Sequence, residues 1–379
     1  MTGSEFQDAN ATRATGRRRF LQEAAGLAAA SAAALGGGSL PGVAMAGLGG
    51  AGGTPFRIDV HCHHIPDFYR LSMAAHGILT AGGIPLPLWS PTMAVNFMDK
   101  FGIQTQVVSI SEPGVTYLKT LGDRKAMAQR INDYTRDELV TTSAAGLAGR
   151  FGGFGVMPIR DPRNPLDVLA ASAEAVRVVQ RLRLDGIGLF SNYQGVYLGH
   201  PSFEPLMATL DALGAMVFIH PVTPTDPPDL GLPSFLYEFP FDTTRAAVNL
   251  LYKGVLNRYP NIRWLLAHAG GTIPYLSYRT GLLRLNLDPT SSVYKNLFFD
   301  TALSAAPPAM KAVREITPVS HVMFATDWPF AGPVFLTKPA GDPAAELDLS
   351  FNTEERLLVD RRNALTQLPT LAARLGVAP

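Results

Sequence analysis

The sequence predicts a (β/α)8 barrel, and three observations carry that prediction. From Phe56 onward, eight short, nearly continuous apolar runs alternate with eight helical stretches. Several of the runs end in a residue type that binds metals: His61 and His63, then His220, His268 and Asp327. No G-x-G-x-x-G follows the first run, which sets aside an open, doubly wound sheet.

The apolar runs cover 56–60, 104–110, 151–157, 184–190, 215–219, 262–267, 296–300 and 322–326. They are rich in β-branched and aromatic residues and do not alternate with polar ones, as expected of parallel strands buried on both faces. The first helix is predicted over 91–101, with Ser90 as N-cap, Pro91 at the first helical position and Gly102 as the stop. Further helices are predicted over 123–145, 165–182, 203–213, 243–259, 273–285, 306–316 and 353–375. Three connections are longer than a bare barrel needs: 67–90, 191–202 and 221–242. All three leave the C-terminal ends of strands, the face on which barrel enzymes build their sites. The last contains Pro224, Pro227, Pro228, Pro233 and Pro240, so it reads as a stiff strap over that face.

The chain has 379 residues, of which 47% are hydrophobic, with 32 basic and 31 acidic groups, enough for one large domain with a buried core. The absence of a basic stripe or an acidic block argues against nucleic acid as a partner. A single cysteine excludes an internal disulfide framework. Residues 1–46 read as a twin-arginine export signal. Arg17-Arg18-Arg19-Phe20-Leu21 leads into an Ala-rich run, and Ala44-Met45-Ala46 supplies a cleavage site. Residues 47–55 are then a linker and 56–379 a single barrel domain. The Ala-rich run is too short for a stable membrane span. Cleavage after Ala46 would remove four basic and three acidic groups, leaving 28 of each. The expected destination is the periplasm, or the cytoplasm if the leader does not function.

In a strand, His61 and His63 project to one side while Cys62 points away. With His220 and Asp327 at other strand ends, they offer three imidazoles and a carboxylate around an open position. That set suits one catalytic divalent ion, Zn2+ first and Mn2+ as the alternative. His268 then remains for proton transfer, with its pKa lowered by the nearby cation. Asp300 ends the seventh run and either orients a ligand histidine or caps a helix. Arg245 either holds a substrate carboxylate or forms a surface ion pair. Trp89, Phe190, Trp328 and Phe330 are candidates for an aromatic pocket, with core packing as the competing role. His64 has the wrong parity for a ligand and is placed behind the pair. His321 begins the eighth run on the far rim. His76 and His200 lie in loops.

These residues resemble the metal-dependent amidohydrolase superfamily, in the branch of aminocarboxymuconate semialdehyde decarboxylase and related decarboxylases, over essentially 56–375. Finer patterns extend the resemblance: Trp89-Ser90-Pro91, Phe97-Met98-Asp99, Tyr197-Leu198-Gly199-His200-Pro201, Thr243-Thr244-Arg245 and Asn363-Ala364. Together they are most similar to the 6-methylsalicylate decarboxylase group. The resemblance implies His61, His63, His220 and Asp327 as metal ligands, with His268 and Asp327 as catalytic groups. It implies a homodimer in which Arg279 reaches into a neighbouring subunit's pocket, and Arg279 joins Trp89, Arg245 and Trp328 as a candidate substrate contact. It also implies non-oxidative decarboxylation of a small aromatic or unsaturated carboxylic acid without an organic cofactor. The rival reading is hydrolysis of a lactone, amide or ester by metal-activated water; a non-enzymatic metal-binding protein is the third. The carboxymuconate enzyme carries arginines shortly after its Trp-x-Pro, where this chain has Ala94 and Asn96, which argues against that substrate. Binuclear members use a lysine on strand four, and this chain has no lysine between Lys125 and Lys253, so one metal is expected.

Overall fold

The computed structural model describes residues 56–281 and 296–377. The export signal and linker lie outside the described residues, as does the end of the helix expected over 273–285.

Eight strands form one parallel sheet in chain order: β1 Arg57–His63, β2 Ile103–Ser109, β3 Phe151–Val156, β4 Gly186–Phe190, β5 Met216–His220, β6 Arg263–Leu266, β7 Leu297–Asp300 and β8 Val322–Met323. Hydrogen bonds from Val60 N–H to the Phe324 carbonyl (3.0 Å) and from His63 N–H to the Trp328 carbonyl (2.7 Å) join the first strand to the last. β1 extends three residues beyond its apolar run, with Cys62 and His63 paired to Val108 and Ser109 of β2. β8 is shorter than the run over 322–326. Past Met323 the chain still follows β1: Asp327, in a left-handed turn with φ 60°, donates its N–H to the His61 carbonyl at 2.7 Å, and Trp328 bridges to Cys62.

Two apolar cores result. One fills the barrel, where Phe154, Met216, Phe218, Leu265 and Phe298 pack with Leu365, Leu368 and Leu371 of the C-terminal segment. That segment also binds the starts of strands: Asn363 donates to the Val322 carbonyl (2.8 Å), and Arg374 pairs with Asp185 (2.7 Å). It therefore closes the N-terminal face and leaves the other face for chemistry. The second core lies between the barrel and the outer helices, around Trp264, Phe203 and Phe101.

The helix predicted at 91–101 spans Pro91–Lys100, with the Ser90 hydroxyl accepting the Met93 N–H at 3.1 Å. Two expectations are corrected. The connection 67–90 is not plain loop: it holds a helix, Asp67–Ala75, that buries Tyr69 and Met73 one turn apart, and a small hairpin pairing Thr80–Ala81 with Ile84–Pro85. The helix expected over 243–259 begins at Glu238, because Pro240 sits in its first turn, where no N–H is needed. It stops at Tyr252, and Gly254, φ 66°, separates it from the short helix Val255–Arg258. The strap is thus 221–237. Glu112 anchors it, accepting from Thr223 N–H (2.6 Å), the Thr223 hydroxyl (2.9 Å) and the hairpin's Gly82 N–H. Among the described residues no helix is long and apolar enough to cross a membrane.

Candidate functional site

The end of β1 sends His61 and His63 into the mouth of the barrel, and the end of β5 sends His220 there. The left-handed turn after β8 turns Asp327 towards them. The four donor atoms lie within 4.8 Å of one another, and all four residues are buried. His61 Nε2 is 3.2 Å from His63 Nε2, and Asp327 Oδ1 is 3.1 Å from the latter.

The other ring nitrogens assign the tautomers. His61 Nδ1–H donates to Asp300 Oδ2 at 2.7 Å, and His220 Nδ1–H donates to the Pro221 carbonyl at 2.7 Å. His63 Nδ1–H meets the Ser109 hydroxyl at 3.0 Å, which itself donates to the Cys62 carbonyl at 3.3 Å. Register explains that contact, because His63 pairs directly with Ser109 across β1 and β2. Three Nε2 lone pairs therefore converge on one point with a carboxylate. Facing lone pairs at this distance repel unless a cation lies among them, so the donor set fits a single divalent metal ion.

Burial pulls His61 and His220 well below the ordinary histidine range, and the neighbouring imidazoles add to it. Burial pushes Asp327 up, but His61, His268 and His63 outweigh it and hold the carboxyl well below the usual range.

His268 stands beside this cluster and outside it. Its Nε2 is 3.4 Å from Asp327 Oδ2, its backbone N–H donates to Asp300 Oδ1 at 2.8 Å, and its buried Nδ1 has no protein partner. Burial lowers its pKa, yet hydrogen bonding and charge from Asp327, then Asp300, overcome this and raise it. The sequence reading expected a lowered value beside a cation; in the protein alone the carboxylates dominate and the direction is the opposite. His268 and Ala269 both adopt left-handed backbone, φ 54° and 57°. The turn closes only because Gly271 follows: a Cβ there would lie 2.1 Å from the Pro240 carbonyl.

Asp300 thus orients His61 and holds the His268 backbone at once. Asp59, which the sequence reading missed, is fully buried on the same face as His61. It accepts the N–H groups of His61 (3.2 Å) and Thr326 (3.1 Å), the Thr326 hydroxyl (2.6 Å) and the Gln106 amide (3.1 Å). It so ties β1 to the turn that presents Asp327. Burial pushes it up to about 7 despite these bonds. Its parity with His61 was the available signal. Asp242 was missed as well: it accepts from Ser191, Tyr197 (2.6 Å) and Val222 N–H (3.1 Å), fixing the turn after His220.

The remaining candidates disperse. Trp89 packs edge-on to His64, ring centroids 5.8 Å apart, and Trp328 stacks on Phe97 at 5.2 Å. Phe330 meets the edge of His63 at 5.4 Å, and Phe190 lines a cavity beside His220. Arg245 is exposed and pairs with Glu238 at 3.5 Å, while Arg279 is exposed near the end of the helix Ile273–Gly281. Neither is among the four donors. His64 bonds the Ser109 carbonyl (3.0 Å) and the Thr135 hydroxyl (2.8 Å), bracing the residue that braces His63. His321 stacks on Phe298, His76 bonds the Ser72 carbonyl, and His200 caps a short turn through Ser202 N–H. Cys62 is buried, its thiol on the Val107 carbonyl at 3.4 Å.

A family model described as amidohydrolase matches residues 58–364. The chain belongs to the amidohydrolase family. Among its relatives, 6-methylsalicylic acid decarboxylase of Penicillium expansum is 32% identical over 295 residues, covering 73% of this chain and 85% of the relative. Gamma-resorcylate decarboxylase of Rhodococcus jostii is 24% identical, covering 76% of this chain and 92% of that one. In fold, the chain is similar to 5-carboxyvanillate decarboxylase of Novosphingobium aromaticivorans, solved with manganese. The TM-score is 0.64 at 21% identity, covering 83% of this chain and 96% of that one. The barrel and its single-metal donor set are therefore those of an amidohydrolase-family member.

Proposed function

We propose that this protein is a metal-dependent decarboxylase of small aromatic monocarboxylic acids, 6-methylsalicylate among them. The observation that carries the reading is the pairing of a complete four-donor centre with a histidine held just outside it. His61, His63, His220 and Asp327 would hold the ion. Bound there, it would supply positive charge that orients an anionic substrate and draws electron density from it. His268 and Asp327, 3.4 Å apart, hold a proton between them at the edge of the centre. That proton passes to the ring carbon bearing the carboxylate. The bond from that carbon to the carboxyl carbon then breaks, its electron pair returns to the ring, and CO2 leaves. No oxidant is consumed. Likeness to decarboxylases of aromatic acids supports this choice over hydrolysis.

The nitrogen-rich donor set supports Zn2+ as the resident ion, and the manganese of the solved relative makes Mn2+ the competitor. A homodimer is proposed on the exposed face of the helix Ile273–Gly281, where Tyr275 and Tyr278 are 84% and 68% exposed next to Arg279. The test is elemental analysis of the purified protein, then hydroxybenzoates assayed for CO2 and lactones for acid. CO2 from a hydroxybenzoate supports the reading. Acid release from lactones with no CO2 from any carboxylate would replace it with hydrolysis.

A further inference from the structure

Beside His220 a cavity runs down into the barrel, walled by Phe154, Val156, Phe190, Tyr193 and Phe218. Its depth is set by Gly188. β4 is buried at every position except this central one, so open space reaches the middle of the strand. A Cβ built at Gly188 would meet only the Gly155 carbonyl oxygen at 3.7 Å and Phe154 Cβ at 3.9 Å, both ordinary contacts. Its φ is not left-handed, so the backbone does not require glycine. Gly186, two residues earlier on the same face, is different: a Cβ there would lie 2.4 Å from the Met216 carbonyl. Close packing demands the first glycine, whereas the second leaves room.

The walls define what that room accepts. No lysine, arginine, aspartate or glutamate lines it. The Ser109 hydroxyl at its edge is engaged by His63 and the Cys62 carbonyl, and the Tyr193 hydroxyl accepts the Phe190 N–H at 3.2 Å. A second carboxylate placed here would lose its water without gaining a lysine or arginine partner, whereas a methyl group needs none.

We propose that Gly188 is a specificity-determining residue, holding open an apolar subsite for a small alkyl substituent on the ring of the aromatic acid. The subsite selects alkylated monocarboxylates against ring dicarboxylates. The proposal rests on the decarboxylase reading for its substrate class.

The test measures kcat/KM for 2-hydroxy-6-methylbenzoate and 2-hydroxybenzoate in the wild type, Gly188→Ala and Phe190→Leu. A parallel arm titrates the metal-loaded proteins with 2-methylbenzoate and benzoate by calorimetry. Metal content and thermal melting check that each variant is folded. Filling the subsite by one carbon should lower the methyl-to-unsubstituted ratio by about tenfold in both arms, the scale of one methylene in an apolar pocket. Phe190→Leu, which widens the wall, should raise kcat/KM for 2-hydroxy-6-ethylbenzoate, assayed alongside, relative to 2-hydroxy-6-methylbenzoate. Equal losses on both acids, or an unchanged ratio, in Gly188→Ala would overturn the proposal. If the wild type releases no CO2 but its preference for 2-methylbenzoate collapses in Gly188→Ala, the reaction assignment fails and the subsite stands. If CO2 is released and neither ratio moves, the subsite fails alone.

Discussion

Replacing Asp300 by asparagine probes the centre without touching a ligand. Asp300 Oδ2 accepts from His61 Nδ1–H at 2.7 Å, while Oδ1 accepts the N–H groups of His268 (2.8 Å) and Ala302 (3.0 Å). An asparagine has one oxygen for these two duties. If that oxygen keeps the two backbone groups, its NH2 faces His61 Nδ1, and two donors cannot share one bond. The imidazole must then move its proton to Nε2, which takes the lone pair away from the metal. If the amide flips, His61 is served, but the His268 turn loses its anchor. Either way the metal-binding tautomer and the His268 turn are no longer held together. Loss of such a partner weakens metal binding by about 10–100-fold, or roughly 1.4–2.8 kcal/mol. Competition with a chelating dye measures the dissociation constant directly. An unchanged constant in Asp300→Asn would refute the claim that this carboxylate sets the tautomer of His61.

Two further outcomes follow from the same geometry, and a third from the sequence of the leader. His268→Ala should retain one metal per chain by elemental analysis yet lose turnover by about 10²-fold or more, because it removes the proton carrier and no ligand; loss of metal would make His268 a ligand. His64 is buried and its pKa is lowered from 6.5 to about 4, so the folded state disfavours its charged form. Its contribution is therefore complete above pH 6.5 and is lost as the pH falls towards 4. Between pH 7 and 4.5 the metal-free wild type should lose roughly 2–3 kcal/mol more unfolding free energy than His64→Gln, as read by urea titration. For the leader, we propose export of the folded protein: changing Arg17 and Arg18 to lysine should abolish its appearance in the periplasmic fraction, and normal export would remove the proposal.

The barrel was legible because its strands are buried on both faces, and runs such as Val217-Phe218-Ile219 show this without help from periodicity. The donors were legible because His61, His63 and His220 stand at strand ends, where parity and position suffice. What supports them was less so. Asp300 could be placed on the right rim, but its choice between orienting a histidine and capping a helix depends on His61 of β1 reaching it across the barrel mouth. Asp59 looked like one polar residue in an apolar run, since its partners Gln106 and Thr326 lie far along the chain. The helix Asp67–Ala75 buries only Tyr69 and Met73, too narrow a stripe to stand out in a stretch read as loop. The left-handed backbone at His268 and Asp327 has no local signature, because neither is a glycine. Arg245 carries charge that fits a substrate carboxylate, and its pairing with Glu238, two helical turns before it, is visible only in the structure.

Non-oxidative decarboxylation with proton delivery from the protein is the central claim. The most direct measurement follows the metal-loaded protein turning over carboxyl-13C 2-hydroxy-6-methylbenzoate in D2O under NMR. The account predicts labelled CO2 and bicarbonate, one deuterium at the carbon that carried the carboxylate for each CO2 released, and no oxygen consumption. Labelled carboxylate that persists unchanged while the same preparation opens lactones would contradict it.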